Sequence, residues 1–331
     1  MAVSPRVVKG RIKSIKSTRK ITKALELVSA AKMKKAVDRA LQSREYARET
    51  YEVLKRIIAK GKARTLHPLL NERVSHNILM ILVSSDRGMV GGLHANLGQY
   101  VAKLTKDPRS LAMSRTGNVW KTVEENEKIT LDIATIGKKS ELIASKLSLP
   151  IIASFNELSD VVSLDEIRGV TKFAIDQFLT KKYDKVLVVY SDFISVINQK
   201  PKVRQLLPVS IVDLEKTIAS ALNEAPMMAR NEQRTLPVQP TEVTKGDDYI
   251  FEPGVKEILE EMVPKIVLTQ MYQALLESRS SEHSARMIAM KNASDNAKEI
   301  IEDLQTMYNQ LRQAKITQEI AEISAGKAAL E

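Results

Sequence analysis

The 331-residue chain carries 51 Lys plus Arg against 40 Asp plus Glu, a formal net charge of +11, with 44% hydrophobic residues, 4% aromatics and no cysteine. The missing cysteine excludes disulfides, thiolate catalysis and Cys-ligated metals, and no run of about 18 apolar residues is present to span a membrane. The length allows two average domains with a buried core, and the scarcity of aromatics suits long helical rods better than one large globule.

From about Pro5 to Ala59 the chain holds one glycine, Gly10, and no proline after Pro5, and it is rich in Lys, Arg, Ala, Leu and Val. One long helix is expected there. The opening is basic but lacks the short apolar core and small-residue cleavage site of a secretory signal, so it reads as part of the mature protein. Residues 1–64 hold 19 Lys plus Arg against 5 Asp plus Glu, whereas residues 253–331 hold 9 against 12. All the net basicity therefore sits on the first helix. Arg6, Lys9, Lys13, Lys16, Lys20 and Lys23 step by threes and fours into one stripe. Like charges so spaced repel, and the stripe is best used when an acidic surface faces it. A plain solvated face is one reading of the stripe; nucleic acid or a carboxylate-lined protein collar facing it is the other, and charge alone does not decide between them.

The middle alternates strand and helix signals. Asn77 to Val83 (NILMILV) is a continuous apolar run, as expected for a strand buried on both faces of a parallel sheet. Leu131 to Ile136, Pro150 to Ala153 and Lys185 to Tyr190 are further strands of this kind, with helices expected at about 92–105, 138–147 and 164–181. Ser163 and Glu166 have the spacing of a capping box at the start of the last. This alternation predicts a βαβ sheet with helices on its faces. Residues 106–128 and 215–247 are polar and broken by Pro and Gly, so they read as surface excursions or mobile loops. Trp120, in the first of them, reads as a local packing anchor.

After the middle comes a second long helix. Met287, Met290, Ala293, Ala297, Ile301, Leu304, Tyr308 and Leu311 recur at steps of three and four, close to the 3.5-residue period of a coiled-coil seam. A helix from about Lys265 to Ala328 would run on the order of 95 Å, with Pro264 in its first turn and a short helical piece before it at about 255–262. Met290, Ala297, Leu304 and Leu311 are expected to face the first helix around Leu25 and Val28. The organisation expected is α/β: a terminal helix over 1–62, a central Rossmann-like domain over 75–250, and a terminal helix over 255–331.

The loop from Ser84 to Gly92 follows a strand and opens a helix, where a phosphate-cradling turn would sit. No Gly-Lys-Ser/Thr follows, and Gly88, Gly91 and Gly92 do not make the dinucleotide fingerprint. Asp86, Arg87 and the three glycines read as a tight strand-to-helix turn. His67, His76, His94 and His283 are scattered, with no pair at ligand spacing. Glu260 and Glu261 read as solvated. No catalytic residue, cofactor site or metal site is expected.

Four segments then carry a resemblance: GRIKSIKSTRKITKALELVSAAKMKKA, SSDRGMVGG, DDYIFEP, and SEHSARMIAMKNASDNA followed by YNQLRQAKITQEIAEI. In this order, over nearly the whole chain, they resemble the gamma-subunit family of the rotary F-type ATP synthase. The resemblance implies that the two terminal helices wind into an antiparallel coiled coil with the α/β domain at its foot. The coil would pass up a hexamer of alpha and beta subunits, and the foot would meet the epsilon subunit and the c-ring. It implies a shaft without chemistry of its own, coupling c-ring rotation, driven by protons or sodium ions, to the beta subunits. It also implies a peripheral place on the cytoplasmic face of a bacterial inner membrane, reached only through the complex. Leu25, Arg286, Arg312, Gln313 and Thr317 match positions that meet the beta subunit, and Tyr249 and Glu252 match positions at the c-ring and epsilon. The loop departs from many relatives in having Met89-Val90 after Gly88, and a chloroplast-type thiol switch is impossible without cysteine.

Overall fold

The computed structural model describes residues 4–59, 67–116, 119–121, 127–156, 158–159, 162–210, 252 and 254–328. Two compact units emerge, one formed by residues 1–31 with 286–331 and the other by residues 32–285.

In the larger unit, β1 (Asn77–Val83), β4 (Thr130–Ile136), β5 (Ile151–Phe155), β6 (Lys185–Phe193) and β7 (Gln199–Leu207) form one sheet in the order β5-β4-β1-β6-β7. The pairs β1–β4, β1–β6 and β4–β5 are parallel, and β6–β7 is antiparallel. β1 lies at the centre, which explains its unbroken apolar sequence. Leu79, Ile81 and Val83 enter the core on one face, and Ile78, Met80 and Leu82 enter that on the other. The period of two thus serves two cores at once.

On the first face lie Leu54 and Ile57 of α1 (Pro5–Ala59), Leu69 and Leu70, α5 (Leu164–Leu179) through Ile167, Val170, Ala174 and Phe178, and α6 (Val255–Ala328) through Leu259, Val263, Val267 and Leu275. On the second lie α2 (Leu93–Lys106) through Leu97 and Val101, α3 (Pro108–Ala112) through Leu111, and α4 (Lys138–Lys146) through Ile143 and Ala144. α5 begins at the expected capping box: Ser163 Oγ accepts from the Glu166 N–H and the Glu166 carboxylate accepts from the Ser163 N–H.

Three expectations are corrected here. Residues 106–128 are not merely a loop. Their described part contains α3 and a small antiparallel pair, β2 (Ser114–Thr116) with β3 (Val119–Lys121); Trp120 lies on β3. β7 has no counterpart among the expected strands, because QKPKVRQLL reads as polar. Among the described residues it is an edge strand bonded on one side only, the place where Pro201 is tolerated. Third, α6 does not start near Lys265 after a separate piece. It begins at Val255 and passes through Pro264. A mid-helix proline costs about 3 kcal/mol. Burying Leu259 and Val263 before it and Val267 after it, each 0% exposed, contributes about 1.5–3 kcal/mol per side chain. Burial therefore outweighs the kink. The segment 215–247 lies outside the described residues.

In the smaller unit, α1 leaves at Ala31 and α6 enters at Arg286, as two antiparallel helices would. The long terminal helices pack together through Val8, Ile12, Thr22 and Ser29 on one side and Met290, Ser294 and Ala297 on the other, all buried. Ile15 and Leu25, with Ile301, Leu304, Tyr308 and Leu311, are half-buried along the same seams. Val28 corrects an expectation: it is 50% exposed. The seam steps from Leu25 to Ser29, so the small polar residue turns inward and its apolar neighbour turns out.

Candidate functional site

In open α/β sheets a ligand crevice forms at the carboxyl ends of the strands where the strand order reverses. Here the chain runs from β1 to β4 and β5 on one side, then to β6 and β7 on the other, so the reversal lies beside β1. The loop from Ser84 to Gly92 emerges there. Its hydrogen bonds are spent on its own fold. Ser85 Oγ donates to the Arg87 carbonyl at 2.8 Å, and the His94 ring meets Ser84 Oγ at 3.1 Å and Ser85 Oγ at 3.2 Å. Asp86 Oδ1 accepts from the Lys138 N–H at 3.0 Å and so caps α4. The Lys139 N–H reaches the Ser85 carbonyl at 3.0 Å.

The left-handed positions are Met89 (φ 63°) and Gly91 (φ 57°). Gly91 itself takes the left-handed conformation in the turn, whereas at Gly88 it is the following methionine that takes it. The tightest approach is at Gly137 (φ 89°), where a Cβ would overlap the Ser84 carbonyl oxygen.

α6 fills the rest of this end of the sheet. All residues from Gln273 to Arg286 are buried, although many are polar. Arg279 Nη1 donates to Glu282 at 2.9 Å, and its Nη2 donates to the Leu158 carbonyl at 3.2 Å and lies 3.9 Å from Asp86. Ser284 Oγ donates to the Val196 carbonyl at 2.6 Å. Tyr190 Oη donates to Glu277 Oε2 at 2.6 Å, and Arg204 Nη2 meets the same oxygen at 3.3 Å. Asp86, Leu158 and Val196 follow the carboxyl ends of β1, β5 and β6. These contacts clip the helix to three loops at the carboxyl end of the sheet. Burial, with the Glu277 carboxylate alongside, pushes the Tyr190 hydroxyl well above its ordinary value. Burial alone would lower the Arg204 value, but Tyr190 and Glu277 outweigh it and the guanidinium stays charged. Tyr190 lies in a strand expected to be buried, but its polar partners Arg204, Glu277 and Arg279 were not expected to be buried, because a run such as Glu277–Ser284 (ESRSSEHS) reads as solvated. Its only signal is its place between two apolar stretches of one helix.

The stripe residues Arg6, Lys9, Lys13, Lys16, Lys20 and Lys23 are all exposed. They follow the seam positions 8, 12, 15 and 22 by about one residue and share their period, so the stripe stays beside the seam along its length. Among the described residues, Lys23 is the stripe member that forms an ion pair, with Glu26 at 2.9 Å. Glu260 and Glu261 are exposed, as expected.

Of the residues singled out by resemblance, Leu25 is half-buried in the seam and Arg286 is buried. Arg312, Gln313 and Thr317 are exposed, just past the half-buried Leu311. Thr317 Oγ1 donates to the Gln313 carbonyl at 3.0 Å. At about 1.5 Å per residue, Arg286 stands some 39 Å along the helix from Arg312, so the five residues form separate stations. The exposed end also carries Ile316, Ile320 and Ile323, 48%, 62% and 75% exposed. Glu252 is exposed, and Tyr249 lies outside the described residues. Among the described residues no group of three or more His, Asp or Glu could hold a metal ion, and no helix is long and apolar enough to cross a membrane.

Residues 4–330 match the family model described as ATP synthase. Curated relatives named ATP synthase gamma chain include that of Legionella pneumophila (strain Corby), 36% identical over 98% of each chain. That of Stenotrophomonas maltophilia (strain R551-3) is 37% identical over 99% of each, and that of Chloroflexus aurantiacus (strain ATCC 29366 / DSM 635 / J-10-fl) is 36% identical, again over 99%. Among solved structures, the fold is similar to a chain of the Euglena gracilis mitochondrial ATP synthase (OSCP/F1/c-ring), with a TM-score of 0.58 at 18% identity, covering 98% of this chain and 94% of that one. A chain from the central stalk and c-ring of the Tetrahymena thermophila enzyme gives 0.52 at 22% identity, covering 83% and 99%.

Proposed function

Because this chain belongs to the ATP synthase gamma-chain family, we propose that it turns inside a ring of alpha and beta subunits, with its foot on the epsilon subunit and c-ring, and performs no chemistry itself. It is the central shaft that couples ion-driven rotation to ATP synthesis or hydrolysis. The full-length family match leaves nucleic acid without support as the partner of the basic stripe. The complex would sit peripherally on the cytoplasmic face of a bacterial inner membrane.

One observation carries the non-catalytic reading: the crevice that an α/β sheet offers a ligand is filled by α6, from Glu277 to Ser284. A shaft needs that helix fixed to the sheet more than it needs a pocket. Coupling then rests on differential contact. A rotor that meets three beta subunits with unlike faces stabilises a different conformation in each, and their nucleotide affinities differ by the differential contact energy. The stripe beside the seam suits an acidic inner wall, where complementary charge gives registry more than affinity. Leu25, Arg286, Arg312, Gln313 and Thr317 would meet the beta subunit, with Arg312 able to hold a carboxylate in a bidentate fork. Tyr249 and Glu252 would meet the c-ring and epsilon.

The test is co-expression of this chain with the alpha and beta subunits of its source. A stoichiometric complex whose ATP turnover depends on the chain is expected. Recovery of alpha and beta without it, or ATP turnover by the chain alone, would contradict the proposal.

A further inference from the structure

We infer that the buried Tyr190–Arg204–Glu277 network sets the register of α6 on the sheet, so that the foot and the shaft turn together, and that it contributes little to stability. The inference rests on the shaft reading above.

The Glu277 and Arg204 side chains are 9% and 5% exposed, and Tyr190 is 0% exposed. Within this network Glu277 is met from the sheet, by Tyr190 of β6 and Arg204 of β7, with the Arg204 guanidinium 5.4 Å from the Tyr190 ring centroid. Two buried charges in such a place carry a desolvation penalty that their attraction offsets only with full hydrogen bonding. Arg204 is short of that: its buried Nε and Nη1 meet no protein acceptor. An apolar trio of similar volume would fill the same space without the penalty.

What the apolar trio would lack is direction. Leu259, Val263, Val267 and Leu275 present α6 to the sheet as a greasy stripe, and such a stripe tolerates rotation or a slip along the helix axis at small cost. A hydroxyl 2.6 Å from one carboxylate oxygen tolerates neither. Single buried polar contacts are best attested in this use, fixing the register of packed helices at some expense of stability. A rotor that transmits torque from its foot to its shaft has a specific need for it. These are positioning residues, acting through the helix.

Two double variants separate register from stability in the complete membrane-bound complex. Arg204→Gln with Glu277→Gln keeps directional hydrogen bonds without charge. Arg204→Met with Glu277→Met keeps volume without direction. ATP-driven membrane potential in inverted vesicles, read by an oxonol dye and divided by ATP hydrolysed, reports coupling for either ion. The Gln pair is expected within twofold of the parent. The Met pair is expected to assemble and melt at or above the parent temperature, while potential per ATP falls at least threefold. Parent-like coupling in the Met pair would overturn the inference. So would its failure to assemble, or an equal loss in both pairs. If the parent complex hydrolyses ATP and generates no potential, the shaft reading itself fails.

Discussion

Gly137→Ala should unfold the sheet domain readily, and the magnitude can be worked from two observations. Gly137 sits at φ 89° and ψ 146°, a region reserved to glycine, and a side chain held there costs about 1–3 kcal/mol. The added Cβ would also overlap the Ser84 carbonyl oxygen and lie 3.1 Å and 3.2 Å from the carbonyl carbons of Ser84 and Ser85. These are backbone atoms at the end of the central strand, tied down by the Ser84 N–H to Ile136 and by Lys139 to Ser85. They can yield only by shifting β1 against β4, a further 1–3 kcal/mol or so on the scale of overpacked cores. The sum, about 2–6 kcal/mol, is a large part of the roughly 5–15 kcal/mol that stabilises a domain. With a urea m-value of about 2–3 kcal/mol/M, the midpoint should fall by about 0.7–3 M. Gly98→Ala is the matched control. It lies inside α2, and the added Cβ would meet Ile143 methyl and methylene carbons at 3.7 and 3.8 Å, ordinary contacts. Alanine there should raise stability by up to about 1 kcal/mol. Urea titrations of both variants by circular dichroism decide the matter. A Gly137→Ala midpoint within about 0.2 M of the parent would refute the reasoning.

Leu304→Asp places a charge in a half-buried seam position and should lower the stability of the paired helices by about 2–3 kcal/mol; an unchanged thermal melt of the helical signal would contradict the seam assignment. Arg312→Ala removes an exposed side chain, so folding should be intact while ATP turnover or assembly of the complete head weakens; the check is turnover of the reconstituted complex beside the melt of the subunit. His67 is buried and its Nδ1 accepts from the Leu69 N–H at 3.2 Å; burial holds its pKa below the ordinary 6.5, against a smaller opposing effect of Glu260. A depressed folded value means that protonation favours the unfolded chain, so this contribution is present above about pH 6.5 and is lost as pH falls through the folded value. His67→Asn, which keeps an acceptor without titrating, should therefore flatten the pH dependence of the melting temperature below about 6.5, and parallel curves for parent and variant would count against it.

Local signals in the sequence were legible where one physical cause dominates. NILMILV reads as a central strand because both of its faces are buried, and Ser163 with Glu166 reads as a cap because the bonds are local. Legibility failed where tertiary context decides. QKPKVRQLL forms β7 only because β6 offers it an edge. Pro264 stays within a helix because the core on both sides of it holds the chain. Ser29 enters the seam ahead of Val28, since the 3.5-residue register outranks hydrophobicity at one position. Of the site, the exposed stripe was readable from its spacing, while the contacts assigned to Arg312, Gln313 and Thr317 by resemblance belong to the proposal above. The buried clips formed by Arg204, Glu277 and Arg279 were not legible, because a polar run inside a helix looks solvated until its partners from distant strands are in place.

Rotation of the chain tests the shaft role most directly. A head assembled from alpha and beta subunits with this chain would be fixed to a surface by its beta subunits, with a bead attached to the α/β domain of the chain. On adding ATP the bead is expected to turn in one direction, in steps, at a rate that follows ATP turnover. A bead that stays still while ATP is hydrolysed at the full rate would contradict it.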